Sequence, residues 1–139
     1  MSHDHPEMPR TGIAEIDGEH ALELRVVREL QAALLAGERA LAAELLERLA
    51  DFTNAHFLTE QLLMRLHAYP GYEAHQQEHD RLIGELGELR TALADASPLD
   101  ARGEADRLER WLLAHMATSD QALGDFLGQS PAGHPTPEA

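Results

Sequence analysis

The sequence predicts an all-α protein, an antiparallel up-down-up-down four-helix bundle, and three observations carry that prediction. Leu and Ala supply 45 of the 139 residues while Val, Ile and Thr together supply 11, a balance that favours helix over strand. Apolar residues recur at steps of three, four and seven along most of the chain. Only three strong breaks interrupt the pattern, at Gly37, at Tyr69-Pro70-Gly71 and at Ser97-Pro98, and loops this short make consecutive helices antiparallel neighbours. The length is that of one domain, and 43% hydrophobic with 26% charged residues suits one core inside a charged surface.

Each element has its own justification. Residues 1–16 read as an N-terminal arm, because Pro6, Pro9 and Gly12 fall in a stretch without helical period. The first helix is expected over 17–36, with His20, Leu24, Val27 and Leu34 on its inner face. The second, over 38–68, carries Leu45, Leu49, Phe52, His56, Glu60 and Leu63 inward, and the third, over 71–96, carries His75, His79, Leu82, Leu86, Leu89 and Leu93. The fourth, over 98–127, starts with Ser97 as cap and Pro98 in its first turn. Its stripe is Leu108, Leu112, His115, Ser119 and Leu123, with Asp120 just off the line. The bundle domain thus spans 1–127, and 128–139, with Pro131, Gly133, Pro135 and Pro137, is expected to be a flexible tail.

Charge and composition exclude several function classes. A net charge of −14 repels phosphate backbones and anionic lipid heads, so neither nucleic acid nor a membrane is an expected partner. Without Cys there is no disulfide, no Fe–S ligation and no thiol nucleophile. The start Met-Ser-His-Asp-His-Pro lacks the apolar stretch of a signal peptide, and no run of 18 apolar residues occurs, so a cytoplasmic location is expected; a monomer is favoured.

The four stripes share a second property: polar residues lie on them, not beside them. Five imidazoles and two carboxylates in one core would each cost several kcal/mol without partners, a sum that a domain of marginal stability does not survive. A metal cluster compensates them. His56 with Glu60 and His75 with His79 are pairs four apart, one turn along a single face. His115 and Asp120 are five apart, about 140° round an ideal helix, a mismatch that a bridging carboxylate tolerates or a local π-bulge relieves. Seven donors suit two ions better than one, and imidazole with carboxylate and no sulfur suits iron, zinc, copper or nickel. His3, His5, His67 and His134 lie in arms or at a helix end and read as solvated, while Phe52 and Trp111 read as core packing.

These residues resemble the hemerythrin family. The resemblance runs from about Thr11 to Leu127 and rests on Thr-Gly-Ile-Ala-Glu-Ile-Asp-Gly-Glu-His ending at His20, on His56-Phe-Leu-Thr-Glu60, on His75-Gln-Gln-Glu-His79, and on Trp111-Leu-Leu-Ala-His115 followed by Asp120. It implies two iron ions, with His75, His79 and His115 on one and His20 and His56 on the other. Glu60 and Asp120 would bridge them together with an oxo or hydroxo group. The second iron would keep an open position where dioxygen binds reversibly. The chain departs from the family twice. A Trp usual before the first block is replaced by Glu7-Met8-Pro9-Arg10. Where members commonly carry a bulky apolar residue facing the gas, two after the fifth His, this chain has Ala117, so a looser dioxygen pocket is expected.

The function expected from this reading is dioxygen storage, transport or delivery without turnover, with nitric oxide and small anions such as azide as further ligands. Two rivals stand beside it, a gas sensor acting through a separate partner and a di-iron enzyme of peroxidase, ferroxidase or nitric-oxide-reducing type. Ferritin-like enzymes use Glu-x-x-His pairs, and no His here has a Glu three residues before it. His75-Gln-Gln-Glu-His79 also matches the H-x-x-E-H pattern of inverzincin proteases with Glu78 as base, but that chemistry needs a third ligand and a substrate cleft.

Overall fold

A computed structural model describes residues 7–95 and 98–129. Ser97, His3, His5, His134 and the tail beyond residue 129, each assigned a place above, lie outside the described residues. Helix α1 spans Ala14–Leu35, α2 Arg39–Leu66, α3 Tyr72–Ala94 and α4 Pro98–His115. A π-helical turn over Met116–Asp120 joins α4 to α5, Gln121–Gln129, and the three together form the fourth rod of the bundle. Among the described residues there is no strand, and no helix is long and apolar enough to cross a membrane. α1 packs on α2 and α4, and α3 packs on α2 and α4, which is the cyclic neighbour pattern of an up-and-down bundle.

The helix ends follow from local chemistry. α1 stops where Gly37 adopts φ +76°, letting its N–H reach the Leu34 carbonyl and the Glu38 N–H reach that of Ala33. α2 stops at Ala68, which holds the same left-handed conformation at φ 52° despite its Cβ. Before α1, Asp17 accepts hydrogen bonds from the Thr11 N–H and hydroxyl and from the Gly12 N–H, tying the arm to the first turn. The arm crosses the fourth rod at Gly124, where a Cβ would sit 2.8 Å from the Thr11 carbonyl oxygen, so only glycine fits. Met8 packs against the main core from the arm.

Two apolar regions bracket a polar layer. The larger contains Leu24, Val27, Leu30, Leu45, Leu46, Leu49, Leu82, Leu86, Leu89, Leu108 and Leu112. The smaller caps the other end of the bundle with Ile16, Met64, Leu123 and Leu127. Between them the seams of all four rods turn polar.

Candidate metal centre

His20 reaches that layer from α1, His56 and Glu60 from α2, His75 and His79 from α3, His115 from the end of α4 and Asp120 from the π turn, none of them more than 4% exposed. The π turn explains the five-residue step. Closing one turn with an extra residue rotates Asp120 beneath His115, and the sequence expectation of a local π-bulge is met. The same rotation turns Ser119, assigned to the stripe, half out of the core and leaves Asp120 fully buried.

The seven side chains converge as two donor groups that share two members. Glu60, His75, His79, His115 and Asp120 form one group, and His20, His56, Glu60 and Asp120 the other, with donor atoms within 4.8 Å of one another in each. Glu60 presents Oε1 to His75 Nε2 and His79 Nε2, both at 2.9 Å, and Oε2 to His56 Nε2 at 3.5 Å. Asp120 presents Oδ1 to His75 Nε2 at 2.9 Å and to His115 Nε2 at 3.2 Å, and Oδ2 to His20 Nε2 at 2.8 Å. Each carboxylate therefore offers one oxygen to each side.

Close contact does not satisfy these atoms. His20 Nε2, His56 Nε2, His115 Nε2, Glu60 Oε2 and both Asp120 oxygens are buried without a hydrogen bond of acceptable geometry. Buried polar atoms are almost always paired, and orphans gathered at one point with lone pairs facing inward are the donor set a cation completes. The residues fit a pair of metal ions.

Electrostatics in the metal-free layer is correspondingly tense. Burial opposes the charged form of His75, but its close contacts with the Asp120 and Glu60 carboxylates outweigh it and raise its pKa to about 9. Burial and the neighbouring charges of His75 and His115 push His79 down to about 2. Burial raises Glu60, whereas in Asp120 it is overcome by the close imidazoles of His115, His20 and His75, which hold that carboxyl well below its usual value.

A surrounding set of contacts fixes the rings. Glu19 Oε1 takes His56 Nδ1 at 2.8 Å, and the Thr59 hydroxyl donates to its other oxygen. Glu78 Oε1 takes His115 Nδ1 at 2.6 Å and the Ser119 hydroxyl at 2.8 Å. Such partners set which imidazole nitrogen faces the metal and raise its basicity. Phe57 stacks on His79 with ring centres 3.6 Å apart, and Trp111, assigned above only to packing, lies parallel to His115 at 5.0 Å.

Sequence reasoning missed Glu19 as an orienting group, and it met Glu78 only as the base of a protease pattern, a role its bond to His115 pre-empts. The available signal was their place immediately before His20 and His79, which turns them toward the next helix. Two assignments need correction. Ala117 is exposed, because two residues past His115 in a π turn the side chain points outward, and the buried residue there is Met116. The Ala117 side chain takes no part in the buried polar layer. His67, expected to be solvated, caps α2 half-buried with its Nδ1 out of solvent, since α2 ends against the turn to α3. It belongs to neither donor group.

Comparison with known proteins gives one family. The family model described as the hemerythrin HHE cation binding domain matches residues 11–127. A bacteriohemerythrin of Stenotrophomonas maltophilia is 30% identical over 114 residues, covering 82% of this chain and 74% of the relative. One from Methylococcus capsulatus is 27% identical over 84% of this chain and 89% of the relative. A myohemerythrin of Sipunculus nudus is 34% identical over 57% of this chain and 60% of its own length. No solved structure matches the chain.

Proposed function

The chain belongs to the hemerythrin family, and from that membership and the donor geometry we propose that it binds dioxygen reversibly at a non-haem di-iron centre. The observation that carries the proposal is the sharing of Glu60 and Asp120, one oxygen of each toward two imidazoles of the His75, His79 and His115 group and the other toward one of the His20 and His56 pair. His75, His79 and His115 would hold one iron and His20 and His56 the other, with Glu60 and Asp120 shared between the two. When bound, the iron pair would supply two electrons to the gas, with the side that offers only two imidazoles the less fully ligated by the protein.

The protein's own groups do the rest. Glu19 and Glu78 keep the Nδ1 protons of His56 and His115 directed away from the centre, so that Nε2 remains the donor. Leu24, Leu82, Leu112 and Met116, all buried in the main core, keep bulk water from the layer. Five neutral imidazoles against two carboxylates stabilise high oxidation states less than the carboxylate-rich sets of oxidases do, which favours release of the gas over its consumption. The iron-loaded protein, reduced without air, exposed to dioxygen and then degassed, should show an absorption band that appears and disappears with the gas. A spectral change on first exposure that degassing does not reverse, or steady consumption of dioxygen, contradicts the proposal and marks an oxidase instead.

A further inference from the structure

Glu23 takes no part in either donor group, yet it is 1% exposed on the inner face of α1, three residues past His20. Three residues are about 60° round the helix and about 4.5 Å along it, so its side chain shares the His20 face one layer toward the leucines. Thr53, three residues before His56, has the matching place on α2, and its hydroxyl donates to Glu23 Oε2 at 2.8 Å. The two pairs are thus stacked layers, with the His20 and His56 rings edge to face at 4.6 Å. A Glu is almost never fully buried without a cationic partner, and the partner shown here is a neutral hydroxyl. An apolar side chain would fill the same space, so packing alone does not call for an acid.

Resting on the reading of the centre as di-iron, we propose that Glu23, anchored by Thr53, determines ligand preference at the His20–His56 half: its carboxyl group supplies an acidic hydrogen to small anions bound there, such as azide. Burial raises its pKa to about 7, opposed by the Thr53 bond and the His20 charge and reinforced by Asp120 and Glu60. The charged or titratable groups that act on it are His20 on its own helix, Glu60 on α2 and Asp120 on the fourth rod, with His56 of α2 against the His20 ring. Glu109 of α4 is engaged by Arg28. Below its titration the carboxyl donates a hydrogen bond; above it, a carboxylate repels the anion.

The test compares wild type with Glu23→Gln and Thr53→Val, each loaded with two irons in the diferric state and titrated with azide from about pH 6 to about pH 8.5. Wild-type affinity should fall about tenfold more across that range than that of Glu23→Gln, whose amide donates at every pH. Thr53→Val should shift the midpoint of the fall. In the metal-free chain, the infrared carbonyl band of protonated carboxyl groups near neutral pH should be weaker in Glu23→Gln than in wild type by the Glu23 contribution, with any Glu60 contribution common to both. Identical azide profiles in the loaded wild type and Glu23→Gln, or a Glu23 carboxyl already ionised at about pH 6, overturn the inference and leave the di-iron reading standing. A chain that takes up no pair of irons overturns both.

Discussion

The leucine-rich region and the histidine layer are built on the same four rods with the same spacing of inward residues, and they are completed in opposite ways. In the first, Leu30, Leu46, Leu49, Leu82, Leu89 and Leu108 are essentially fully buried and need nothing beyond one another. In the second, residues just as buried leave several nitrogen and oxygen atoms orphaned. Helical periodicity fixes what turns inward; the chemistry of what turns inward decides whether the layer is complete without a ligand. The leucine region should therefore carry the fold and the histidine layer should depend on what it binds.

Removing the metal should separate the two regions most strongly. Because the ions bind only the folded layer, loading stabilises by about 4 kcal/mol per site at a thousandfold excess over Kd, and calorimetry should show the iron-free chain melting well below the loaded one. Equal melting points would remove the distinction. Next in size is a cut in the apolar region. Leu30→Ala or Leu89→Ala should cost about 2–5 kcal/mol in both loaded and iron-free protein while the iron content stays unchanged, measured by denaturant melts and metal analysis.

A smaller effect follows from pH in the metal-free chain. His75 titrates near 9 when folded and near its ordinary 6.5 when unfolded. Its contribution is fully present below about pH 6.5 and is lost as pH rises through about 9, on the order of 3 kcal/mol. His20 and His115, also raised, act in the same direction. Iron replaces those protons, so the loaded protein should show a flatter stability profile over the same window, and His75→Gln should flatten that of the metal-free chain. The smallest effect belongs to Ala117→Leu. This exposed site should change stability by no more than about 0.5 kcal/mol and leave azide affinity untouched. Slower azide binding in that variant would return Ala117 to the pocket.

Much of this was legible in the sequence because each donor sits at a helical step from a leucine. The π turn was foreseeable from the distance between His115 and Asp120, which a straight α-helix does not reconcile. What was misplaced lies where a step of three or four leaves a choice between adjacent residues. On α2 the seam runs through Thr53 and Met64, both buried, and Phe52 and Leu63 beside them are half-buried. Periodicity with a preference for apolar residues selects the wrong member of each pair, and it hid Thr53 together with its partner Glu23. Ala117 failed for a related reason. Its position was carried over from the family, whereas the rotation of a π turn is a property of the local backbone. Glu19 and Glu78 carried only the weak signal of standing immediately before His20 and His79, because their partners lie on other helices, 37 residues away in the chain in both cases.

The central claim is that the polar layer is a site for two metal ions and not a hydrogen-bonded core. Titrating ferrous iron anaerobically into the metal-free chain and counting bound iron after desalting tests it most directly. The account predicts saturation at about two irons per chain, with Glu60→Ala and Asp120→Ala each failing to reach it. Saturation at one ion per chain, or a wild-type count in both variants, would contradict it.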